Sequence, residues 1–326
     1  MEEASRMMRI KCIGFSVTGY GDPSYSIVLK SKLEELGLTT EVSYTSVGGL
    51  SIDALPFLLP SMVNNESFDL VVLEVATSWF SLVRKNQSEA DAYLDMIVNY
   101  LRLINTSIVF LNLYRKDIAD DDLVVNAINK YGENYPILDL KSKYRARLIN
   151  EQNDGTTDGV HPTQSTIDEI ATDLAKFISS EYSSESVAHS YSIVTHENRM
   201  FLPPVSVGEN FTFDNRHGLV INGFKFSGVN SLELSFGADL FVTGLFFVYG
   251  PDTSSLDLVL DEEKINIPMY DEMSFYRRLG YRYIGGRTIN NFKIDFSYES
   301  PSVKLKREPW EKFSSRSCYL LGFTVV

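Results

Sequence analysis

Residues 69–75 read DLVVLEV. The four consecutive apolar side chains show no alternation with polar ones, which is typical of a strand covered on both faces of a parallel sheet. Short apolar stretches recur along the first half of the chain and are separated by helical patterns. Residues 1–182 therefore predict an α/β domain with a parallel sheet. The other predicted strands are residues 9–15 (RIKCIGF), 39–45 (TTEVSYT), 107–113 (SIVFLNL) and 136–140 (PILDL).

The segments between these strands place apolar residues three and four positions apart, which is the spacing of amphipathic helices. The first helix starts after residues 22–24 and ends at Gly37, because glycine commonly follows the last helical turn. Pro56 and Pro60 break or bend the second helix, because proline removes a backbone donor. The remaining predicted helices are residues 88–104, 120–131 and 164–180, and residues 141–162 are interpreted as a long loop.

The second half of the chain has a different pattern. Residues 183–192 belong to a serine-rich stretch that we interpret as a linker. Residues 193–326 then alternate short apolar segments with turn signals and show no long helical pattern, which predicts a small β-sandwich or jelly roll. The predicted strands are residues 211–213, 218–226, 231–236, 240–248, 255–260, 264–268, 289–296 and 317–325.

Composition limits the class of protein. The 326 residues include 30 Lys and Arg against 43 Asp and Glu, a net charge of −13 that argues against nucleic acid or an anionic membrane as partner. No apolar run approaches the roughly 20 residues that span a bilayer, and no signal-peptide core is visible at the start, so we expect a cytoplasmic protein. Cys12 and Cys318 are far apart in the sequence, and we expect buried, reduced thiols rather than a disulfide.

Several predicted strands are followed by groups suited to acyl transfer. Ligands of parallel α/β sheets bind at the carboxyl ends of the strands, so the loops that follow the strands share one edge. These groups are Gly14-Phe15-Ser16 after strand one, Gly48-Gly49 after strand two, Ser78 after strand three and Asp158-Gly159-Val160-His161 before the last helix.

These residue types have complementary chemical roles. A serine hydroxyl becomes a nucleophile when a base removes its proton, and His161 is the candidate base for Ser16. Asp158 can hold the imidazole in the required tautomer. The oxyanion needs preorganised donors, for which the backbone amides of Ser16 and Gly49 are candidates, with the Ser78 side chain as a third.

Together these residues resemble the SGNH (GDSL-type) hydrolases over about residues 9–180. Ser16 matches the serine of the Gly-Asp-Ser block, and Asp158 with His161 matches the final Asp-x-x-His block. Gly49 aligns with the oxyanion glycine of that family, with Gly48 as the alternative. The resemblance implies a flavodoxin-like three-layer fold and an esterase, lipase, carbohydrate deacetylase or acyltransferase activity.

Two positions depart from the family pattern. Phe15 stands where the first block has aspartate. Ser78 stands where the third block, Gly-x-Asn-Asp, has the asparagine that donates to the oxyanion, because residues 76–79 read Ala-Thr-Ser-Trp. A serine hydroxyl can donate a hydrogen bond but is shorter than an asparagine side chain.

The resulting hypothesis is a serine esterase that removes an acyl group, such as acetyl, from a carbohydrate substrate. One alternative is a polysaccharide O-acyltransferase that uses the same site, and a second is a degenerate, non-catalytic module that binds glycan or a partner. No Cys/His cluster has zinc spacing and no Gly-Lys-Ser/Thr phosphate loop is present, so neither a metal nor a cofactor is predicted. The expected partner is a small-molecule or glycan ester, and the oligomeric state stays open. The aromatic and basic residues 276–283 are either a sugar contact or a sandwich surface.

Overall fold

The computed structural model describes residues 7–64, 66–84, 86–117, 121–151, 153–182, 199–260, 263–311 and 313–326. The chain divides into two compact units, residues 1–195 (unit 1) and 196–326 (unit 2). The predicted linker, residues 183–192, lies outside the described residues.

Unit 1 is built on a five-stranded sheet with the order β2-β1-β3-β4-β5, in which every neighbouring pair is parallel. Its central strands are almost wholly apolar and buried, as the run at residues 69–75 predicted, because helices cover both faces. The strands are β1 (Met8–Gly14), β2 (Thr40–Ser46), β3 (Leu70–Glu74), β4 (Ser107–Asn112) and β5 (Ile137–Asp139).

Alternate residues of the strands pack against helices on opposite faces. On one face, Ile10 and Val72 share a buried cluster with residues of the second and eighth helices, including Leu33 and Leu174. On the other face, Phe110 contacts the ring of Tyr131, which caps the sixth helix. The helices are α1 (Ser16–Gly19), α2 (Tyr25–Glu35), α3 (Leu55–Val63), α4 (Phe80–Val83), α5 (Gln87–Leu103), α6 (Leu123–Lys130), α7 (Lys141–Glu151) and α8 (Gln164–Glu181).

Two predictions about unit 1 are wrong. Residues 141–151, interpreted as part of a long loop, form helix α7, whose first amide (Lys141) donates to Asp139 at 2.8 Å. That helix is mostly polar, and its apolar face is short, with Tyr144 and Leu148 four positions apart packed on the core of unit 1. Pro56 does not break α3 but lies in its first turn, where a missing amide hydrogen costs nothing. Pro60 alone lies inside that helix.

Unit 2 is antiparallel, and the all-β prediction is confirmed. Its described strands form one sheet with the order β11-β10-β12-β9-β13-β8-β7, and β6 pairs with β13. The strands are β6 (Arg199–Phe201), β7 (Glu209–Asp214), β8 (Val220–Phe226), β9 (Ser231–Tyr249), β10 (Ser255–Leu260), β11 (Glu263–Pro268), β12 (Arg278–Ser297) and β13 (Cys318–Val325).

Two strands of unit 2 are longer than the sequence pattern predicted. The segments 231–236 and 240–248 belong to the single strand β9, and β12 begins at Arg278 instead of Ile289. Register shifts interrupt the β9–β12 pairing, and such bulges bend a strand without ending it. Side chains from both halves of β9, such as Phe236 and Phe247, therefore reach the same core.

Neither cysteine is paired. Cys12 lies in β1 and Cys318 in β13, and both are buried and free. Burial raises the pKa of each thiol to about 12, so both stay protonated at neutral pH. In the part of the chain that the structure describes, no helix is long and apolar enough to cross a bilayer.

Candidate active site

The predicted polar groups converge at the carboxyl edge of the parallel sheet. Strand β1 ends at Gly14, which pairs with Ser46 of β2 on one side and with Glu74 of β3 on the other. The Val47 amide donates to the Gly14 carbonyl at 3.0 Å, so the turn after β2 is tied to the start of the Ser16 turn (residues 15–20). Parallel topology therefore places the first three sequence blocks side by side.

Ser16, His161 and Asp158 form a continuous chain of hydrogen-bonding groups. Ser16 Oγ lies 3.1 Å from His161 Nε2, although 145 positions separate the two residues. His161 Nδ1 lies 2.8 Å from Asp158 Oδ2. Both distances are within hydrogen-bond reach, which is the geometry that a serine, its base and the group orienting that base require.

Asp158 holds the backbone of its own loop as well as the imidazole. Its Oδ1 accepts hydrogen bonds from the amides of Val160 at 3.0 Å and His161 at 2.8 Å. Burial acts to raise the pKa of Asp158, but these amides and the His161 ring outweigh it, so the pKa is lowered. Asp158 is therefore an anion at neutral pH, as a group that orients a histidine must be.

The His161 loop (residues 154–163) is fastened at several points. The Thr157 amide donates to the His161 carbonyl at 2.7 Å, and the Lys116 amide donates to the Gly159 carbonyl at 2.8 Å. Thr163 caps α8 by accepting from the Thr166 amide. These bonds fix the backbone that carries the imidazole, so the loop itself sets the position of the base.

The turn after β2 brings glycine next to Ser16. A Cβ atom added to Gly48 would lie 3.5 Å from Ser16 Cβ, so only a small residue leaves this side of the serine open. Gly49 has φ +74°, a left-handed conformation that glycine adopts without strain. Glycine at position 48 therefore leaves space beside Ser16, and glycine at position 49 avoids backbone strain.

The Ser78 side chain has backbone partners. It is buried, and its Oγ accepts from the amides of Ile52 at 2.9 Å and Phe80 at 3.2 Å. Ile52 follows the Gly48-Gly49 turn, so Ser78 ties the loop after β3 to the loop after β2. The structure thus gives the hydroxyl two contacts in which its oxygen is the acceptor.

Two residues of this edge escaped the sequence analysis. The Tyr20 ring stacks on the His161 imidazole with centroids 4.3 Å apart. Arg115 is almost fully buried, donates to the Thr77 carbonyl at 2.7 Å, and lies over the Trp79 ring. Tyr20 lies four positions after Ser16 in a turn without a recognisable motif, so the sequence does not indicate that its ring contacts His161. Arg115 follows the end of β4, a position where functional residues are expected in a parallel sheet. Its burial, which requires polar partners, is visible only in the structure.

Residues 276–283 take part in contacts within unit 2. Arg277 pairs with Asp252 at 2.9 Å, and Arg278 pairs with Asp271 and stacks on Tyr249. Tyr276 stacks on Trp310 with centroids 4.9 Å apart. Among the described residues of both units, no three His, Cys, Asp or Glu side chains are grouped so that they could hold a metal ion.

No protein-family model matches the sequence, and no curated protein matches it. Solved structures do match. A two-domain esterase (CEX) active on acetylated mannans, crystallized with mannopentaose, aligns with a TM-score of 0.69 and 11% identity over 98% of this chain and 90% of that chain. Another crystal structure of a two-domain esterase (CEX) active on acetylated mannans aligns with a TM-score of 0.66 and 11% identity over 98% of this chain and 91% of that chain.

The likeness shows a shared fold. The alignment covers both units of this chain, the parallel α/β unit and the antiparallel β unit. The fold that the resemblance to the SGNH hydrolases implied is therefore confirmed. The chemistry of the chain has to be argued from its own side chains.

Proposed function

We propose that this chain is a serine esterase that removes acyl groups, acetyl above all, from a carbohydrate ester. The observation that carries the proposal is the unbroken path from Ser16 Oγ through His161 to the Asp158 carboxylate. A serine that merely capped a helix would not need an imidazole within 3.1 Å. A degenerate binding module would not need a carboxylate behind that imidazole, so the non-catalytic alternative explains less of the geometry.

Acylation starts at Ser16. Its Oγ attacks the ester carbonyl while His161 acts as the general base, with Nε2 taking the hydroxyl proton. Asp158 accepts a hydrogen bond from Nδ1–H of the imidazolium and stabilises its charge without taking the proton. His161 then gives its new proton to the leaving sugar oxygen, which releases the alcohol and leaves an acyl-serine.

The oxyanion of the tetrahedral intermediate needs donors beside Ser16. The amide of Ser16 itself and the amide of Gly49 are the proposed pair, with Gly48 as the alternative to Gly49. Gly48 adjoins Ser16 closely enough for this turn to border the reacting carbon. We propose that Ser78 holds the Ile52 amide and hence the turn, because its oxygen accepts two hydrogen bonds, and that its hydroxyl hydrogen is the candidate third donor to the oxyanion.

Deacylation decides between hydrolase and transferase. When water attacks the acyl-serine with His161 as base, the product is the free acid. When a sugar hydroxyl attacks, the same site transfers the acyl group. Hydrolysis is the proposal, since water needs no acceptor subsite, and transfer to an acceptor sugar is the measurable alternative.

The carbohydrate part of the proposal has a separate support. The two-domain esterase that shares this architecture over almost the whole chain is active on acetylated mannans. An acetylated manno-oligosaccharide is therefore the first substrate to try. A small activated ester such as p-nitrophenyl acetate tests the serine chemistry without assuming any sugar.

The deciding experiment compares the wild-type protein with Ser16→Ala on p-nitrophenyl acetate and on acetylated manno-oligosaccharides. We expect the wild type to release acetate and Ser16→Ala to lose activity by about 10³-fold or more, because the nucleophile is gone. A fluorophosphonate probe should label the wild type at Ser16 and leave the variant unlabelled, as shown by peptide mass spectrometry.

Ser31→Ala is the matched control, because Ser31 lies on α2 and its hydroxyl, within the described part of the chain, bonds to the Val28 carbonyl of the same helix. It should keep wild-type rates. Equal rates for the wild type and Ser16→Ala would overturn the proposal. Acetyl transfer to an added oligosaccharide in preference to acetate release would replace the hydrolase by the transferase.

A further inference from the structure

Glu74 is a fully buried carboxylate at the end of β3. Its side chain is 0% exposed, and in the sheet it pairs with Gly14, two positions before Ser16. A buried carboxylate is normally paired with a cation or bound by hydrogen-bond donors. Glu74 has the second arrangement, since the hydrogen bonds it accepts in the described part of the chain come from uncharged donors.

The donors come from two loops of the candidate site. Thr77 donates through its amide at 3.1 Å and its hydroxyl at 3.0 Å. Thr18 donates its hydroxyl at 3.4 Å. In the sheet, Glu74 also pairs with Gly14. Gly14 and Thr18 lie on either side of Ser16, so the end of β3 that carries Glu74 contacts both arms of the Ser16 turn.

A second layer supports this arrangement. The Tyr25 hydroxyl lies 3.1 Å from Thr18 Oγ1, and Tyr25 is itself fully buried at the start of α2. The Ser26 hydroxyl donates to the Thr18 carbonyl at 2.9 Å. Thr18 is thereby fixed from both its side chain and its backbone, and its hydroxyl hydrogen is directed toward Glu74.

Stability alone does not explain a carboxylate at this position. Burial raises its pKa, while the amides and hydroxyls of Thr77, Phe15 and Thr18 lower it without cancelling the cost. Apolar residues occupy the other positions of β3, and an apolar side chain at the strand end would avoid this penalty. The carboxylate is the group able to collect donors from both loops at once.

We propose that Glu74 is a positioning residue for Ser16, which fixes the Thr18 hydroxyl and the Thr77 loop so that the Ser16 hydroxyl and amide stay directed at the reacting ester. Position 15, where the SGNH pattern has aspartate, carries Phe15 in this chain. The carboxylate beneath the Ser16 turn therefore comes from the neighbouring strand. This inference rests on the proposed esterase function.

The test is Glu74→Gln, which keeps the size of the side chain but replaces one acceptor oxygen by an amide donor. The new donor faces the amide and hydroxyl donors that the carboxylate held, so the Ser16 turn should lose its fixed geometry. We expect kcat for p-nitrophenyl acetate to fall at least about 10-fold with KM changed less than about twofold, since only the reacting serine moves. The rate of fluorophosphonate labelling at Ser16 should fall in parallel.

Leu33→Ala provides the stability-matched control. Leu33 is fully buried near the end of α2, in the same unit, and makes none of the contacts described for the site. Assayed well below its melting temperature, this variant should lose Tm and keep kcat. Glu74→Gln should lose kcat at the same temperature even where its Tm loss is no larger.

Thr18→Val is the second variant, in case Glu74→Gln does not fold. It removes the hydroxyl that bonds to Glu74 and keeps the shape, so kcat should fall by a smaller factor, about threefold or more, with KM preserved. Wild-type kcat in Glu74→Gln or in Thr18→Val, with Ser16→Ala inactive, would overturn the positioning role and leave the esterase proposal intact. Wild-type activity in Ser16→Ala would instead overturn the esterase proposal itself.

Discussion

Both units of this chain pair acids with bases, as Arg147 with Glu169 in unit 1 shows, but the carboxyl edge of unit 1 also holds a carboxylate against an imidazole. In unit 2, acids and bases from neighbouring strands and turns pair with each other, as in Arg277 with Asp252 and Arg287 with Glu263. In unit 1, the carboxyl edge of the sheet places Asp158 behind His161 and leaves the other ring nitrogen facing the hydroxyl of Ser16. Charges that pair with each other stabilise a fold, whereas a carboxylate that polarises an imidazole can drive a proton transfer.

Topology explains this difference. Every strand of a parallel sheet ends at the same edge, so loops that are far apart in sequence are brought together there. Strands of an antiparallel sheet end alternately at opposite edges, and each turn mostly meets the strands beside it. At this edge of unit 1, Ser16 and His161 lie within hydrogen-bond distance although 145 positions separate them in the sequence. Substitutions in the two units should therefore have different effects on activity and on stability.

The largest effect is expected from Asp158→Asn. The side-chain carboxamide of the variant fits the space of the carboxylate, but it cannot stabilise the His161 imidazolium or hold the imidazole in the tautomer with hydrogen on Nδ1. We therefore expect kcat to fall by about 10²-fold or more. Ester hydrolysis measured by stopped-flow or plate assay checks this, with circular dichroism as a control for folding. A loss below about threefold would show that His161 works without its carboxylate.

The two neighbouring glycines should respond differently to alanine. Gly48→Ala places a methyl group 3.5 Å from Ser16 Cβ, an ordinary contact, so we expect reduced kcat with little loss of stability. Gly49→Ala puts a side chain at φ +74°, which costs about 1–2 kcal/mol, so it should lower Tm as well. Paired thermal melts and ester kinetics check both, and identical profiles for the two variants would contradict the distinction.

Asp252→Ala should damage unit 2 and spare the chemistry. Asp252 is buried, and its removal leaves Arg277 and the Tyr319 hydroxyl without their shared acceptor. Because Arg277 is one-third exposed, we expect about 2 kcal/mol of destabilisation, less than the loss of a fully buried pair. Calorimetry should show the shift, while kcat for p-nitrophenyl acetate below the transition stays at the wild-type value.

A smaller effect is expected from Ser78→Ala. If the hydroxyl chiefly holds the Ile52 and Phe80 amides, its loss should lower kcat less than about 10-fold and lower Tm slightly. Removal of a direct oxyanion donor costs about 10²–10³ in kcat in other enzymes. A loss of that size, with Tm unchanged, would instead assign Ser78 a direct contact with the oxyanion.

The smallest expected effect is on the loss of thermal stability at low pH. The pKa of Asp158 is lowered in the folded chain, so its contribution to stability is present above the unfolded value of about 3.9 and is lost as pH falls through the folded value. The wild type should therefore lose more Tm between about pH 5 and pH 3 than Asp158→Asn does. Parallel slopes for the two proteins would show that Asp158 contributes nothing to acid stability.

Local patterns identified most of unit 1. The strands at residues 69–75 and 107–113 were predictable because a continuous apolar run indicates a strand that is buried on both faces. Such a run can be recognised within the segment itself, without knowledge of its neighbours in the sheet. The Asp158-x-x-His161 spacing was visible for a similar reason, since both residues lie in one short loop. Helix α7 was missed because Lys141–Glu151 is mostly polar and its apolar face, with Tyr144 and Leu148 on the core, is too short to give a clear helical period.

The amino-acid sequence by itself determined which segments are buried strands, where the chain changes from α/β to all-β, and which residue types could carry acyl transfer. The tertiary structure alone decided which of those residues meet. The Tyr20 stack on His161, the donors collected by Glu74 and the two amides on Ser78 each join groups that lie on different loops. Such contacts depend on the order and register of strands, which no local periodicity encodes.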